Sequence, residues 1–286
     1  MQRKLHPLEG IVAMCALVLV LFLSVGFAQA QQDVRKIALR SSSALVQDAE
    51  TGEIVFGKNA DAVVPIASIT KLMTAMVILD SGLDLEEKIV LHREDAVAMK
   101  GARSRLRTGL SITRGDLLLL ALMSSENRAA AALGQSYPGG MEVFVDAMNA
   151  KAAVLQMNES RFVEPTGLSP ANVSTASDLA KMVRAAHEYP LIREYSTKDR
   201  ASIRASNRPL AYGNTNGLVR SKHWDIELSK TGYISEAGRC LVMHVRLADK
   251  DLIVVLLDSW GKHSRVGDAN RIRKWLETGA TTGRSS

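Results

Sequence analysis

The chain has 286 residues, of which 47% are hydrophobic and 23% are charged, and it contains only two cysteines. This profile excludes a disordered chain, a collagen-like repeat, a disulfide-stapled miniprotein and a polytopic membrane protein, because each of these needs a strong compositional bias. The formal net charge of +6 favours anionic partners, and nucleic acid, anionic lipid and acidic polymers all fit it at this point.

The first 30 residues have the pattern of a secretory signal peptide. Arg3 and Lys4 precede an uncharged stretch over 11–27, and Ala28-Gln29-Ala30 fits a cleavage site of the A-x-A type. Cleavage there would leave residues 31–37 as a short linker. The alternative is an uncleaved N-terminal anchor, because the apolar stretch approaches the roughly 18 residues that begin to indicate a transmembrane helix. We expect the cleaved signal.

Export changes how the cysteines and the charge are interpreted. Removal of the signal takes away Cys15 and leaves Cys240. One cysteine cannot form an internal disulfide, so the fold must depend on its apolar core. An exported basic protein rarely meets nucleic acid, so we expect no nucleic-acid partner, and the charge points toward the cell envelope.

The N-terminal part of the mature chain predicts a hairpin followed by a helix. Residues that favour strands lie on both sides of Glu50-Thr51-Gly52 and predict two strands with their turn at Thr-Gly. Pro65 is expected to stop any strand. Apolar periodicity then predicts a helix over Ser68–Leu79, with Ser68 in its first turn.

The middle of the chain is predicted to be mostly helical. A loop region over 100–114 precedes a strongly apolar helix that begins at Asp116 and breaks at Ser124–Asn127. Thr175 and Asp178 form a capping-box pattern at the start of a later helix. The remaining helices of this region are predicted over Met141–Leu155 and Ala176–His187.

The C-terminal third changes from helical to β-rich. Three runs of strand-forming residues predict an antiparallel meander, and an amphipathic helix over Val266–Thr278 follows. Strands at both ends with helices between them predict one α/β (α+β) domain over 38–278, with an antiparallel sheet, an inserted helical lobe and a cleft between them. Residues 279–286 are left as a tail, and no additional C-terminal β-domain is expected. The predicted strands cover Ile226–Ile234, Arg239–Leu247 and Leu252–Ser259.

The residues that could carry catalysis point to a serine activated by a lysine. The sequence lacks H-E-x-x-H, G-x-S-x-G and a Walker loop, so metallopeptidase, α/β-hydrolase and P-loop functions lose their main support. Ser68-Ile69-Thr70-Lys71 is an S-x-x-K motif, whose spacing on a helix puts both side chains on one face. Backbone N–H groups at a helix N-terminus can also stabilise an oxyanion. Ser259-Trp260-Gly261-Lys262 has the same spacing and is interpreted as a chance match at a strand end.

Two further motifs follow in order. Ser125-Glu126-Asn127 is an S-x-N motif that interrupts an apolar helical run, as either a loop tip or a cleft-lining loop would. Lys230-Thr231-Gly232 is a K-T-G motif, and its lysine alone could simply be solvated on an edge strand. Gly232 within a strand, however, is typical of a close approach by a ligand or by backbone. The order S-x-x-K, S-x-N, K-T-G is that of penicillin-binding proteins and class A β-lactamases.

Longer stretches around these motifs resemble the family of low-molecular-mass D-alanyl-D-alanine carboxypeptidases and endopeptidases. The resemblance covers about residues 38–278 and implies a β-lactamase/DD-peptidase-like fold with its active site in the cleft. Ser-Glu-Asn-Arg-Ala-Ala is similar to the endopeptidase branch of the penicillin-binding protein 7 type, whereas carboxypeptidases tend to have Ser-Gly-Asn. The stretches that carry the resemblance are Pro65–Met76, Ala121–Ala130, Phe162–Ser169, Lys230–Tyr233 and Ala237–Val242.

The resemblance implies hydrolysis of D-alanyl cross-bridges, of the D-Ala to diaminopimelate type, in peptidoglycan. Ser68 would be the nucleophile that forms the acyl-enzyme, Lys71 the neutral general base, and Ser125 the proton relay to the leaving amine. Cross-linked stem peptides would be the substrate and β-lactams the covalent inhibitors, with no metal and no organic cofactor. The substrate-binding residues would be Asn127, Lys230, Thr231, Gly232 and Tyr233, the last through its backbone N–H, which would form the oxyanion hole with that of Ser68.

A lysine can act as the general base only if its pKa falls well below about 10.4. Burial and a nearby cation both lower the pKa of a lysine. We expect Lys230 to be the cation that does this for Lys71.

Three alternatives stay open beside the endopeptidase. The nearest is a D-alanyl-D-alanine carboxypeptidase, and a noncatalytic penicillin-sensing or wall-binding module is the most distant. A β-lactamase would share the acylation step, and Arg161-Phe-Val-Glu164-Pro superficially resembles the loop with the deacylating glutamate of class A enzymes. The spacing is one residue too long, however, so we interpret Glu164 as structural.

Overall fold

The N-terminal hairpin and the C-terminal meander lie in one antiparallel sheet. The computed structural model describes residues 37–97, 104–204, 209–247 and 249–282. The predicted signal peptide over 1–30 therefore lies outside the described residues. In chain order the strands are β1 (Ser41–Asp48), β2 (Ile54–Lys58), β3 (Val64–Pro65), β4 (Lys88–Val90), β5 (Ser111–Thr113), β6 (Val173–Ser174), β7 (Arg200–Ile203), β8 (Leu210–Gly213), β9 (Asp225–Ile234), β10 (Gly238–Leu247) and β11 (Lys250–Ser259).

The described helices lie between the hairpin and the meander, except for one that follows the meander. A 3-10 turn over Ala67–Ile69 leads into the first helix, and a second over Gly217–Arg220 precedes β9. The α-helices are α1 (Thr70–Asp80), α2 (Glu94–Val97), α3 (Arg114–Met123), α4 (Asn127–Gln135), α5 (Gly140–Val154), α6 (Ala176–His187), α7 (Pro190–Thr197) and α8 (Ser264–Thr282).

The main sheet has the strand order β2-β1-β11-β10-β9, and every neighbouring pair is antiparallel. Its middle strand, β11, is buried continuously over Leu252–Leu257, and both α6 and α8 contact it. A strand covered on both faces needs an unbroken apolar run instead of an alternating one. The predicted α+β architecture, with hairpin and meander in one sheet, is confirmed.

Helix α1 passes through the interior of the helical lobe. Every residue from Thr70 to Ile78 is buried, and α3, α4, α5 and α6 all contact this helix. A helix that is apolar almost all round has no face to turn to water, so it must lie in the core. Whatever polar side chain α1 carries is therefore held inside the protein.

Several local predictions need correction. Pro65 does end a strand, but it is itself the second residue of β3 and takes part in the pairing with β6. A pairing this short tolerates the missing N–H of proline. The predicted loop over 100–114 contains β5, and helix α8 continues to Thr282 instead of ending at Thr278. The hairpin β7–β8 and helix α7 have no counterpart among the predicted elements.

The cap of α6 matches half of its predicted form. Thr175 Oγ1 accepts the backbone N–H of Asp178 at 3.0 Å, as a capping box requires. The Asp178 carboxylate, however, accepts from the N–H of Glu159 and the hydroxyl of Ser160 instead of reaching back to the cap. Asp178 thus joins α6 to the preceding loop. Within the described ranges, no helix is long and apolar enough to span a membrane.

Two histidines stack where α6 meets the sheet. The rings of His187 and His244 are 3.8 Å apart between centroids and nearly parallel, at 9°. His187 Nε2 lies 2.6 Å from a carboxylate oxygen of Glu227. His244 is buried, and its Nδ1 has no hydrogen-bond partner among the described residues. Burial, together with the positive charge of His187, lowers the pKa of His244 from 6.5 to about 4.

We therefore expect acid to destabilise the fold through His244. Between pH 6.5 and about 4 the unfolded chain binds a proton at this residue that the folded chain does not, so the free energy of unfolding decreases as the pH falls. Urea unfolding at several pH values in this window should show a shallower pH dependence for His244→Gln than for the wild type. His223→Gln, at an exposed histidine, is the control. An unchanged slope in His244→Gln would contradict the assignment.

Candidate active site

The S-x-x-K motif lies at the N-terminal end of α1. Ser68 is in the 3-10 turn and Lys71 in the first turn of the helix, and Lys71 Nζ donates to Ser68 Oγ at 2.9 Å. Ala67 holds a left-handed conformation with φ of +48°, although it is not glycine. Such strained residues persist where the surroundings enforce them. The turn before α1 thus sets the position of Ser68.

Lys71 is fully buried and all three of its ammonium donors have acceptors. Besides Ser68 Oγ, Nζ donates to Asn127 Oδ1 at 2.8 Å and to the carbonyl oxygen of Thr166. Burial lowers the pKa of Lys71 to about 8, against the opposing negative charges of Glu164 and Glu126. Lys71 can therefore give up its proton far more readily than a lysine in water.

The S-x-N motif forms the break between α3 and α4. Ser125 has a φ of +58°, and the Glu126 side chain caps α4 by accepting from Ala129 N–H at 2.7 Å. A helix end, a left-handed residue and a new cap explain why polar residues interrupt the apolar run. The break places Asn127 against Lys71 and turns Ser125 toward β9.

The K-T-G motif lies on edge strand β9, with its lysine inside. Lys230 is buried, and its Nζ donates to Ser125 Oγ at 2.8 Å and to Thr231 O at 3.0 Å. Burial lowers the pKa of Lys230 well below its usual value, with further lowering by the positive charges of Lys71 and Arg265. The expectation that Lys230 lowers the pKa of Lys71 is therefore corrected: burial does so, and Lys71 in turn lowers the pKa of Lys230.

Gly232 lets β9 approach the turn that carries Ser68. A Cβ at this position would lie 3.0 Å from Ile66 O and from Ala67 Cβ, and 3.1 Å from Ser68 N. Thr231 Oγ1 is 2.6 Å from the hydroxyl of Thr215. The next residue, Tyr233, is exposed, and the guanidinium of Arg239 lies over its ring.

One loop contributes to the site without being predicted to do so. Glu164 accepts hydrogen bonds from Thr166 N–H at 2.6 Å and from Gly167 N–H at 2.6 Å, and also bonds to the Asn172 amide. This carboxylate shapes the loop that offers the Thr166 carbonyl to Lys71, which agrees with the structural role expected of Glu164. The carbonyl itself left no signal in the sequence, because every residue carries one.

The three motifs meet in this structure, and a polar pocket of about 310 Å³ opens beside them. Ser125 and Asn127 belong to its lining. A connected path of hydrogen bonds joins Ser68, Lys71 and Asn127, and a second joins Ser125 to Lys230. Such an arrangement can supply a nucleophile, a base of lowered pKa and a hydroxyl that relays protons.

A different group of side chains has the chemistry of metal ligands. Donor atoms of His187, Glu227 and His244 all lie within 4.8 Å of one another. Tetrahedral zinc needs ligand lone pairs that converge on one point. In the two stacked rings the in-plane lone pairs run parallel, so the present geometry suits the hydrogen-bonded cluster described above better than a metal centre.

Comparisons with known proteins agree with this geometry. A peptidase S11 model, described as D-alanyl-D-alanine carboxypeptidase, matches residues 28–261. The chain is 52% identical to a D-alanyl-D-alanine endopeptidase of Pseudomonas aeruginosa, over 85% of this chain and 79% of that protein. It is 48% identical to a D-alanyl-D-alanine endopeptidase of Escherichia coli K12, over 91% and 87%. The crystal structure of the Streptomyces K15 DD-transpeptidase superposes with a TM-score of 0.78 at 28% identity, covering 84% of this chain and 98% of that one.

The close approach at Gly232 predicts that even one added methyl group is destabilising. In Gly232→Ala the new Cβ must displace the backbone at Ile66 and Ser68, so we expect a loss of about 1–3 kcal/mol in the free energy of unfolding. Gly57→Ala, in strand β2, is the matched control, because its nearest neighbour would be 3.8 Å away. Urea unfolding of both variants measures the difference, and equal stabilities would refute the steric explanation.

Proposed function

Because this chain belongs to the peptidase S11 family, and is thus a serine hydrolase, we propose that it is a D,D-endopeptidase that cleaves D-alanyl cross-bridges in peptidoglycan. The observation that carries the proposal is the 2.9 Å hydrogen bond between buried Lys71 and Ser68 Oγ. The similarity to two endopeptidases over most of the chain favours the cross-bridge as the substrate.

In the acylation step, neutral Lys71 takes the proton of Ser68 as Oγ attacks the carbonyl carbon of D-Ala. The oxyanion that forms is stabilised by the backbone N–H groups of Ser68 and Tyr233. Asn127 orients Lys71 and the substrate amide, while Thr231 contacts a substrate carboxylate. Collapse of the intermediate breaks the C–N bond, and the proton that Lys71 holds passes through Ser125 to the leaving amine, which leaves Lys71 neutral again. Lys230 holds Ser125 in place for this transfer.

In the deacylation step, water attacks the ester at Ser68 and Lys71 again accepts the proton. The products are the carboxylate of D-Ala and a free Ser68 hydroxyl. Amide plus water gives acid plus amine, so the reaction balances with no further reactant. A carboxypeptidase would use the same acyl-enzyme with free D-alanine as the leaving group, and the description of the S11 family favours this as the second candidate.

A β-lactamase role for Glu164 finds no support in its contacts. Its two carboxylate oxygens accept hydrogen bonds from Thr166, Gly167, Ser169 and Asn172 within its own loop. A general base for water needs a free lone pair directed at that water. Glu164 is better suited to holding the loop than to rapid deacylation of a β-lactam.

We place the enzyme in the periplasm, after cleavage of the signal at residue 30. The basic N-terminal pair, the apolar stretch and the A-x-A site support export, and the excess of basic over acidic residues suits a carboxylate-rich polymer. β-Lactams would acylate Ser68 in place of the peptide.

Digestion of defined muropeptides tests the proposal. The enzyme should convert D,D-cross-linked dimers to monomers, separated by mass, and Ser68→Ala should abolish both this conversion and covalent labelling by a fluorescent penicillin. Mapping of the penicillin adduct to any residue other than Ser68 would overturn the assignment. Release of D-alanine from pentapeptide monomers with no loss of dimers would instead identify a carboxypeptidase.

The pKa of Lys71 predicts how acylation depends on pH. Only neutral Lys71 can act as base, so the second-order rate constant for penicillin acylation should rise about tenfold per pH unit below pH 7 and level off above about pH 8. Stopped-flow measurement of labelling gives this profile. A rate that stays constant through this range would remove Lys71 as the base.

A further inference from the structure

The polar pocket beside Ser125 and Asn127 contains groups that the proposed mechanism does not use. Its lining adds Ser104, Arg105 and Tyr212 to the motif loop. Tyr212 lies on β8, and Thr215, three residues later, contacts Thr231. The pocket is therefore continuous with the reaction site, with which it shares Ser125 and Asn127.

The hydroxyl of Tyr212 is buried in this wall without a partner. The side chain is only 8% exposed, and no hydrogen bond to its Oη is formed by any described residue. A buried tyrosine hydroxyl almost always finds a partner, because leaving it unpaired loses the hydrogen bonds that water would supply. The exception points to a polar group that occupies the pocket in the working enzyme.

Arg105 supplies positive charge next to that hydroxyl. Its Cζ lies 3.9 Å from the centroid of the Tyr212 ring, and the side chain is exposed. Within the described part of the chain, its guanidinium makes no salt bridge to a carboxylate. The stacking holds the guanidinium plane in place while leaving its edge free for hydrogen bonding.

The one acid that lines the pocket is already engaged. Glu126 is 7% exposed, and its carboxylate accepts from Ala129 N–H at the start of α4. Its charge is therefore directed to the N-terminus of a helix, which stabilises a negative charge. The guanidinium edge of Arg105 is left to face the cavity, with the Tyr212 hydroxyl buried in the wall beside it, and both groups are donors that suit a carboxylate.

Resting on the proposed function, we propose that Arg105 and Tyr212 determine specificity by binding a carboxylate of the departing peptide strand. In the proposed mechanism Ser125 delivers a proton to the leaving amine. The atoms beyond that amine therefore lie next to the pocket, because Ser125 also lines it. A departing D-alanine is too small to need a cavity of about 310 Å³, whereas a departing stem peptide continues past the scissile nitrogen and carries further carboxylates. The pocket thus favours cross-linked substrates over pentapeptide ends.

Two synthetic cross-linked dimers test this subsite, one with free carboxylates on the departing strand and one with those carboxylates amidated. For the wild type we expect kcat/KM to be about 10- to 100-fold higher for the dimer with free carboxylates, which is the effect of one hydrogen bond between charged groups. In Arg105→Gln this ratio should fall to near one, and in Tyr212→Phe, which removes only the hydroxyl, it should fall partway. Arg105→Lys keeps the positive charge but loses the planar guanidinium, so its ratio should lie between those of Arg105→Gln and the wild type.

Arg107→Gln is the matched control, because Arg107 is an exposed arginine two residues away that does not line the pocket. It should keep the wild-type ratio. Ratios in Arg105→Gln and Tyr212→Phe equal to the wild type would overturn the subsite. Failure of the wild type to cleave either dimer while penicillin still labels Ser68 would instead refute the endopeptidase proposal, so the two failures can be told apart.

Discussion

The site depends on one buried ammonium group. Lys71 is inaccessible to water in the middle of the helical lobe, and a buried cation is costly unless every donor is satisfied. Its acceptors are Ser68 Oγ, Asn127 Oδ1 and the carbonyl of Thr166, which come from three distant parts of the chain. Assembly of the Ser68–Lys71 pair is therefore coupled to correct placement of the S-x-N loop and of the Glu164 loop.

Close backbone packing makes this convergence possible. A Cβ at Gly167 would lie 1.9 Å from the carbonyl oxygen of Ala67, and one at Gly232 would lie 3.1 Å from Ser68 N. The turn before α1 is thus enclosed by the Glu164 loop on one side and by β9 on the other. Ala67, in its left-handed conformation, is held between them. Rigid placement of Ser68 results from backbone contacts as much as from side chains.

The sequence could predict those features that depend on side-chain type and spacing. The i, i+3 spacing brought Ser68 to Lys71, and continuous strand-forming runs predicted the meander that carries Lys230. The Thr166 carbonyl could not be predicted, because a backbone group has no identity in sequence. Pro65 ends β3, as expected, but its own pairing with β6 could not be predicted, since the tolerance of a two-residue pairing depends on which strand lies beside it. The pKa relation of the two lysines depended on their burial, which spacing does not reveal.

The burial of Lys71 determines where the proton goes in the proposed mechanism. Burial is the cause that lowers the pKa of Lys71, so in the proposed mechanism the proton that Lys71 takes from Ser68 is held less tightly than it would be in water. Lys230 Nζ in turn donates to Ser125 Oγ at 2.8 Å, which orients that hydroxyl toward delivery. Burial of Lys71 therefore favours passing the proton on to the leaving amine over keeping it.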